Sequence, residues 1–263
     1  MCAHTTGRRA ARLNTIRIFG AAAYARMSAP DPYLSLPLTA NTQDLYLVRT
    51  SIRQALRSQL PNFHGTFLDI GSGLQPYRGL ITHAPARVER YIGMDLAQAI
   101  GSYGTVPPDV EWNGTVMPIA DATIDSAMAT EVLEHCPDPG VVLREAYRVL
   151  KPGGFLFFTV PFLWPLHDVP YDEYRYTPFA LERIVKNAGF QEVKVKPLGG
   201  WDASLAQMLG LWAMRRPMPD WKRNVVKRLT LPVVRYLVKH DHVPDPRSSP
   251  MITGLMGTAV KPS

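Results

Sequence analysis

Two glycines and two acidic residues at the ends of apolar segments form the stretch of this sequence best suited to bind a ligand. Asp69 lies near the end of the apolar run 66–70, and Gly71 and Gly73 follow it. This pattern is typical of a buried strand that turns tightly, and glycines let a ligand come close to the backbone. Asp95 ends a second apolar run, where a carboxylate can accept hydrogen bonds from two ribose hydroxyls. The pattern predicts a site for a nucleotide-like group, with an ordinary loop aspartate as the alternative for Asp95.

Polar and aromatic side chains are concentrated a second time between residues 161 and 178. The interior prolines of this segment interrupt any helix, so it is predicted to be a loop. It contains His167, Asp172 and Arg175 among several aromatic residues, which is the composition of a ligand pocket. His167 is predicted to be a general base because imidazole titrates near neutral pH, with Asp172 and Arg175 as positioning groups. The alternative is that Arg175 pairs with Asp172 only to brace the loop.

A mostly parallel sheet would bring these two groups of residues to one edge. Apolar and alternating runs predict strands at about 66–70, 90–94, 124–130, 155–160 and 190–196. Helices are predicted between several of them: one starts at Asn41 as its cap, one runs from Asp138 to the stop at Gly153 and Gly154, and one runs from Thr177 to Gly189. Because ligands bind beyond the carboxyl ends of parallel strands, the glycine turn and the 161–178 loop are expected to face one site.

Two further segments turn this pattern into a resemblance. Residues 124–135 read Ile-Asp-Ser-Ala-Met-Ala-Thr-Glu-Val-Leu-Glu-His, and residues 148–154 read Arg-Val-Leu-Lys-Pro-Gly-Gly. With the glycine turn, they closely resemble the class I S-adenosylmethionine-dependent methyltransferases, in the branch called methyltransferase type 11. The resemblance covers roughly residues 64–196. It implies an α/β, Rossmann-like twisted sheet of seven strands, mostly parallel with one antiparallel strand, with helices on both faces and S-adenosyl-L-methionine as cofactor.

The resemblance also implies which residues bind the cofactor. They lie at the ends of the first four strands and are Asp69, Gly71, Ser72, Gly73, Asp95, Asn113, Gly114 and Glu131. Asn113 stands where the family usually has an acid, so its contact with adenine would be uncharged. Glu134 and His135 follow strand four, and they either face the transferred methyl or merely orient the loop. No metal site is predicted, and Cys136 is interpreted as a packing residue.

The acceptor is predicted less sharply than the cofactor. The pattern His-x-x-x-Tyr-Asp-x-x-Arg-Tyr-Thr, which begins at His167, resembles family members associated with glycans and small metabolites. A hydroxyl acceptor needs a base, so O-methylation of a small molecule or glycan is the favoured function. One alternative is an RNA or other nucleic-acid methyltransferase, although the Asn-Pro-Pro-Tyr type of motif is missing. A non-catalytic partner protein that binds S-adenosylmethionine is the second alternative.

Charge and length determine how the rest of the chain is interpreted. Residues 1–40 are predicted to be a basic extension, and residues 41–263 one methyltransferase domain with a helical insertion at 199–250. The net charge of +7 comes from the first 30 residues and from residues 215–242, so the rest of the chain is mildly acidic. A nucleic-acid partner is therefore unlikely, because it would need a basic face on the central domain. The insertion is predicted to be a cap whose apolar stripe completes the pocket, with a dimer contact or a peripheral membrane contact through 215–242 as alternatives. Two cysteines fit a reducing cytoplasm, and an organellar transit peptide stays open.

Overall fold

The computed structural model describes residues 33–96, 106–248 and 250–263, so most of the predicted basic extension lies outside the described residues. Seven strands form one sheet in the order β3-β2-β1-β4-β5-β7-β6. The strands are β1 His64–Ile70, β2 Arg87–Leu96, β3 Val110–Trp112, β4 Ile124–Thr130, β5 Leu150–Pro161, β6 Gln191–Leu198 and β7 Gly254–Val260. All neighbours pair in parallel except β7, which runs antiparallel to β5 and β6. The predicted fold is confirmed.

Six α-helices lie in the described part of the chain. They are α1 Tyr46–Gln59, α2 Arg78–Ile81, α3 Pro139–Val149, α4 Pro178–Asn187, α5 Trp201–Arg215 and α6 Asp220–His240. The predicted caps of two helices are confirmed, because the side chain of Asp138 accepts a hydrogen bond at the start of α3 and that of Thr177 does so for α4. The helix after β4 and the helix that ends the loop after β5 therefore begin where the sequence predicts.

The core consists mainly of two apolar layers, which pack on the two faces of the sheet. Phe67 and Phe157 belong to the layer beneath α1, whereas Leu68 and Phe158 belong to the layer beneath α3 and α4. All four side chains are fully buried. Alternation along β1 and β5 explains this division, since successive side chains point to opposite faces of a sheet. The loops after β1, β4 and β5 thus extend from a well-packed edge.

Two predicted boundaries are wrong for local reasons. Helix α3 ends at Val149, and β5 already begins at Leu150, so Gly153 lies inside the strand at a shift in register with β4. Its positive φ of 77° suits such an irregularity. Asn41 does not cap α1, which starts at Tyr46; the Asn41 side chain instead accepts a hydrogen bond from Lys227 of α6.

The insertion forms a helix pair, but it faces the opposite way from the prediction. The buried face of α5 is made of small and polar residues, among them Ala203, Ala206 and Gln207. Many large apolar residues point to solvent instead; for example, Trp201 is 62% exposed and Trp221 of α6 is 71% exposed. The predicted stripe therefore does not complete the pocket. Within the described residues, no helix has the length and apolar character needed to cross a bilayer.

Candidate active site

The glycine turn after β1 is fastened to the end of β2. Backbone N–H groups of Gly71 and Ser72 donate to the carbonyl of Met94, at 2.8 and 3.0 Å. Asp95 closes the arrangement, because its Oδ2 accepts from the N–H of Gly73 at 2.7 Å. The sequence-predicted pair of turn and carboxylate is thus brought together in space.

The two glycines are needed for different reasons. Gly71 has φ of 68°, and a Cβ there would lie 2.6 Å from a methyl of Val132, so the loop after β4 packs against it. Gly73 has φ of 49°, and no atom lies within 4 Å of its Cβ position. The open space beside Gly73 is where a ligand can approach the backbone. Ser72 adds a buried hydroxyl without a hydrogen-bond partner among the described residues.

Asp69 is more deeply placed than the sequence suggests. Its side chain is buried and accepts a hydrogen bond from the hydroxyl of Tyr91, while its second oxygen has no partner in the described chain. Burial raises the pKa of Asp69 to about 7, an effect that the hydrogen bond from Tyr91 partly offsets. The orphaned oxygens of Asp69 and Ser72, with the carboxylate of Asp95, fit a polar cofactor at this turn.

Asp69→Asn is expected to change how stability depends on pH. Between about pH 4 and 7 the folded protein keeps a proton on Asp69 that the unfolded chain has released, so this group lowers stability as the pH rises. The effect is about 1 kcal/mol per pH unit. Asparagine does not titrate, yet it can still accept from Tyr91. Urea unfolding at pH 5 and 7 should show the variant gaining about 2 kcal/mol relative to wild type; a constant difference would mean that Asp69 titrates normally.

The predicted adenine-side residues form a turn of their own after β3. The Asn113 side-chain oxygen accepts from the N–H of Thr115 at 2.9 Å and from that of Val116 at 3.0 Å. Gly114 follows with φ of 84°. The oxygen proposed for the adenine amino group is therefore engaged within the turn, and contact between Asn113 or Gly114 and the cofactor stays a prediction.

Two glutamates follow β4 in a strongly desolvated setting. Glu131 has φ of 54° and accepts a hydrogen bond from the Thr159 hydroxyl at 2.8 Å. Burial raises the pKa of Glu131 to about 7. Glu134 is fully buried, neither of its carboxylate oxygens has a hydrogen-bond partner among the described residues, and its pKa is raised by burial and by Glu131. The loop thus contains carboxylate oxygens that its own contacts do not use as hydrogen-bond acceptors.

The loop between β5 and α4 holds an ordered chain of three polar side chains. Arg175 donates to both oxygens of Asp172, at 2.6 and 2.8 Å, and the guanidinium lowers the pKa of this carboxyl. Asp172 in turn lies 3.0 Å from Nδ1 of His167 and accepts from its backbone N–H. Arg175 therefore braces the loop through Asp172, as the structural alternative supposed, and Asp172 orients His167.

Backbone contacts fix this loop against the one after β4. The N–H groups of Glu173 and Tyr174 both donate to the carbonyl of Glu134, at 2.9 and 3.2 Å. The buried hydroxyl of Tyr176 donates to the carbonyl of Leu133 at 2.7 Å. As a result, the rings of His135 and His167 meet edge to face with centroids 4.7 Å apart. No sequence pattern predicted that these two histidines meet, although both were expected at the carboxyl edge of the sheet.

Cys136 takes no part in this polar arrangement. Its thiol is half-buried and donates to the carbonyl of Val132 at 3.2 Å. Burial raises the pKa of Cys136 to about 12, so the thiolate needed for nucleophilic attack is disfavoured. This agrees with its interpretation as a packing residue.

A small cavity of about 10 Å³, roughly the room that one water molecule needs, opens at the carboxyl ends of β4 and β5. Its wall is mostly apolar and includes Val48, Ile52, Glu131, Val160, Leu163, Trp164, Leu198 and Gln207. Gln207 comes from the insertion, donates through Nε2 to the carbonyl of Asp44, and keeps a buried Oε1 without a partner among the described residues. The insertion therefore does contribute to the pocket, through a glutamine that the apolar pattern of α5 could not reveal.

Comparison with known proteins agrees with this geometry. A family model described as a methyltransferase domain matches residues 68–158. A protein of Mycobacterium sp. strain JLS, described as an uncharacterized methyltransferase, is 30% identical over 189 residues, which cover 62% of this chain and 71% of that protein. The chain belongs to the class I S-adenosylmethionine-dependent methyltransferases. This membership makes it an enzyme and sets aside the non-catalytic alternative.

Other similarities of this methyltransferase are narrower. A 37.1 kDa protein from a Streptomyces fradiae transposon, described as uncharacterized, is 32% identical over 131 residues; the match spans 46% of this chain but only 38% of that protein. A solved methyltransferase structure from Thermotoga maritima aligns with a TM-score of 0.51 and 17% identity, over 83% of this chain and 91% of that one. The structural similarity establishes the fold alone.

The cofactor of the family fits the residues around the glycine turn. The open space beside Gly73 admits a ligand to the backbone, and Asp95 presents a carboxylate at the end of β2. Ser72 and Asp69 each keep a buried oxygen without a partner among the described residues. These residues would hold S-adenosylmethionine, and the contact of Glu131 with the cofactor stays a prediction. When bound, the cofactor supplies an electrophilic methyl group.

Proposed function

We propose that this methyltransferase transfers the methyl group to a hydroxyl oxygen of a small molecule or glycan. The observation that carries the proposal is the pairing of His167 with Asp172, at 3.0 Å, in the loop that follows β5. An ionised carboxylate can only accept, so Nδ1 carries the hydrogen and the lone pair of Nε2 is directed away from Asp172. The loop thus holds an imidazole whose Nε2 can accept a proton or bind a cation.

Methyl transfer itself requires little acid or base chemistry from the protein. The reaction is an in-line displacement in which the positive charge of the sulfonium disappears, so proximity and alignment supply most of the catalysis. An amine acceptor can attack with its own lone pair. A hydroxyl acceptor is a poor nucleophile until its proton is weakened or removed, and we propose His167 for this task.

The cavity supports a small acceptor with few polar groups. Its apolar wall would contact a ring or a short aliphatic segment, whereas the Oε1 of Gln207 is available to accept one hydrogen bond. Glu131 borders the same cavity and lies on the loop after β4 that packs against the glycine turn. An acceptor in the cavity would consequently lie near the donor methyl.

A nucleic-acid acceptor fits the described surface less well. Most basic residues of the insertion lie on α6, whereas the cavity is lined mainly by apolar side chains and by Glu131. A strand of nucleic acid needs basic groups along its path into the site. The small-molecule or glycan acceptor is therefore preferred.

Matched pairs of acceptors test the proposal. Each pair should differ only in a hydroxyl or an amine at one position, and transfer from S-adenosylmethionine carrying a labelled methyl should be measured for wild type and for His83→Ala, a variant of an exposed histidine outside the site. We expect methylation of the hydroxyl member and little of the amine. Preferential methylation of amines, or of RNA added in parallel, would replace O-methylation as the function.

A further inference from the structure

Three side chains at the junction of the two loops form a cluster that the proposed function has not fully used. Glu134 and His135 lie in the short 3-10 helix Leu133–His135, and His167 lies in the loop after β5. One carboxylate oxygen and one ring nitrogen from each histidine all lie within 4.8 Å of one another. We call these three residues the Glu-His-His cluster.

The Glu134 carboxylate of this cluster lacks the hydrogen bonds that usually stabilise a buried carboxylate. Glu134 is completely buried, and neither oxygen accepts a hydrogen bond from any described residue. The cationic candidate closest to it in the cluster is Nε2 of His135, at 3.7 Å. A buried carboxylate without a partner is costly, so such a group usually pairs with a cation or binds a metal.

Both histidines have the tautomer that ligation requires. Nδ1 of His135 lies 3.2 Å from the carbonyl of Tyr171, and Nδ1 of His167 lies 3.0 Å from Asp172. Because both partners can only accept, each Nδ1 carries a hydrogen and each Nε2 keeps its lone pair. Metal-binding histidines typically donate their second N–H to a carboxylate or a backbone carbonyl in this manner.

We propose that the Glu-His-His cluster binds one divalent transition-metal ion through the Glu134 carboxylate and the Nε2 atoms of His135 and His167. Two imidazoles and one carboxylate suit manganese, iron, cobalt or zinc better than magnesium or calcium, which prefer oxygen ligands. Asp172 and Arg175 are then positioning residues that hold His167 in its ligating orientation.

The role of the ion rests on the proposed O-methylation. The acceptor hydroxyl would bind in an open coordination position, where the metal lowers its pKa and its proton passes to water. The oxygen then forms a bond to the methyl carbon as the bond between that carbon and sulfur breaks, which leaves a neutral thioether. In this form of the enzyme His167 is a metal ligand, and direct proton transfer to it is not needed.

Cobalt(II) binding to the full chain, prepared without a histidine tag, tests the site without any need for an acceptor. We expect one cobalt per protein with a visible absorption spectrum, and competition by manganese and zinc. Glu134→Gln, which preserves size, and His167→Gln should each weaken binding by more than about 100-fold, and Asp172→Asn by about 10- to 100-fold. His83→Ala serves as the control and should bind cobalt normally. Equal affinity in wild type and Glu134→Gln, or no binding by wild type, would overturn the proposal.

Activity in the presence of a chelator separates this proposal from the function on which it rests. If a hydroxyl acceptor is methylated equally with and without chelator, O-methylation stands and the metal site is wrong. If cobalt binds at the cluster but only amines are methylated, the metal site stands and the proposed function is wrong. Loss of hydroxyl methylation with chelator, restored by manganese or cobalt, supports both.

A separate feature, the exposed apolar stripe of α5 and α6, carries a second inference. Large side chains recur at three- and four-residue steps and point to solvent: Trp201, Leu205, Met208 and Trp212 on α5, and Trp221, Val225, Leu229, Val233 and Tyr236 on α6. The two helices pack against each other through their other faces. Exposed apolar surface of this extent on a helix pair marks an interaction site.

The charges beside the stripe point to the class of partner. Helix α6 contains six lysines and arginines but only Asp220 as an acid, and Lys222, Arg228, Arg235 and Lys239 are exposed. The stripe itself contains three tryptophans and a tyrosine, the residues that settle at the boundary between lipid headgroups and acyl chains. Amphipathic helices with this combination lie in the plane of an anionic membrane surface.

We infer that the α5–α6 helix pair docks on an anionic phospholipid bilayer, with the apolar stripe entering the interface and the basic residues contacting headgroups. Co-sedimentation with phosphatidylcholine vesicles, with and without phosphatidylglycerol, tests this. We expect binding only to the anionic vesicles and a decrease as salt is raised. Trp221→Ser combined with Leu229→Ser should abolish binding, whereas Val243→Ser, which changes an exposed valine outside both helices, should not.

Two results would overturn the membrane inference. One is the absence of binding to anionic vesicles at physiological salt. The other is concentration-dependent dimerisation of the wild type that the double variant at Trp221 and Leu229 removes, because the stripe would then be an interface between two copies of the chain. Sedimentation equilibrium without lipid distinguishes these outcomes.

Discussion

His167→Ala should bind S-adenosylmethionine as tightly as wild type and lose about 10² to 10⁴ in turnover of a hydroxyl acceptor. The residue lies in the loop after β5, away from the glycine turn, so donor affinity should not change. Its imidazole is oriented by Asp172 at 3.0 Å and meets the ring of His135. Removing it takes away the group that activates the hydroxyl, whether by accepting the proton or by holding a metal ion.

Calorimetry with the donor and initial rates with the acceptor measure the two halves of this expectation. An acceptor of lower pKa should recover part of the lost rate, because its proton needs less assistance. His83→Ala is the matched control, since that exposed histidine lies at the end of α2 and its ring bonds to Gly79 and Thr82. Full activity of His167→Ala, or its failure to fold, would assign His167 to the pocket wall or to the structure of the loop.

Asp95→Ala should weaken binding of S-adenosylmethionine by about 2 to 4 kcal/mol, which corresponds to roughly 30- to 1,000-fold in Kd. The carboxylate is expected to accept two hydrogen bonds from the ribose. It also accepts from the N–H of Gly73 and from that of Leu96, both at 2.7 Å. The alanine variant therefore loses the ligand contacts and also the hydrogen bond that holds Gly73 to the end of β2.

Asp95→Asn separates these two contributions. Its amide oxygen can still accept from the Gly73 N–H, but it has no charge, so a smaller loss is expected. Glu89→Ala, which removes an exposed acid from the same strand, should bind the donor normally. Titration calorimetry with S-adenosylmethionine and S-adenosylhomocysteine measures all three variants, and an unchanged Kd in Asp95→Ala would place the ribose on another strand.

Sequence patterns predicted the parts of the structure that depend on burial. The runs 66–70 and 124–130, which lie in β1 and β4, are mostly buried, so their positions followed from apolar periodicity. Their parallel pairing was implied by the family resemblance. The ends of elements were harder to predict, because they depend on a few local bonds. Asn41, for example, reads as a helix cap in sequence but is bonded to Lys227 of α6, 186 residues away.

Local sequence patterns also could not predict the orientation of the insertion or the contacts within the Glu-His-His cluster. A helical stripe reveals which residues share a face, but not whether that face meets the protein, a second copy or a membrane. Here the small residues of α5 face inward, where Gly210 packs so closely that a Cβ would lie 2.4 Å from the carbonyl of Gln43. His135 and His167 likewise meet only because backbone bonds join their loops, a contact that no local pattern encodes.

The acceptor atom of the transferred methyl group is the most direct test of the account. Donor labelled with ¹³C in its methyl group, incubated with a metabolite and glycan extract and the wild-type enzyme, yields products in which the carbon chemical shift reports the bonded atom. We expect label on oxygen with the wild type and with His83→Ala, and loss of this label with His167→Ala. Label on nitrogen or on nucleic acid, or label on oxygen that persists unchanged in His167→Ala, would contradict it.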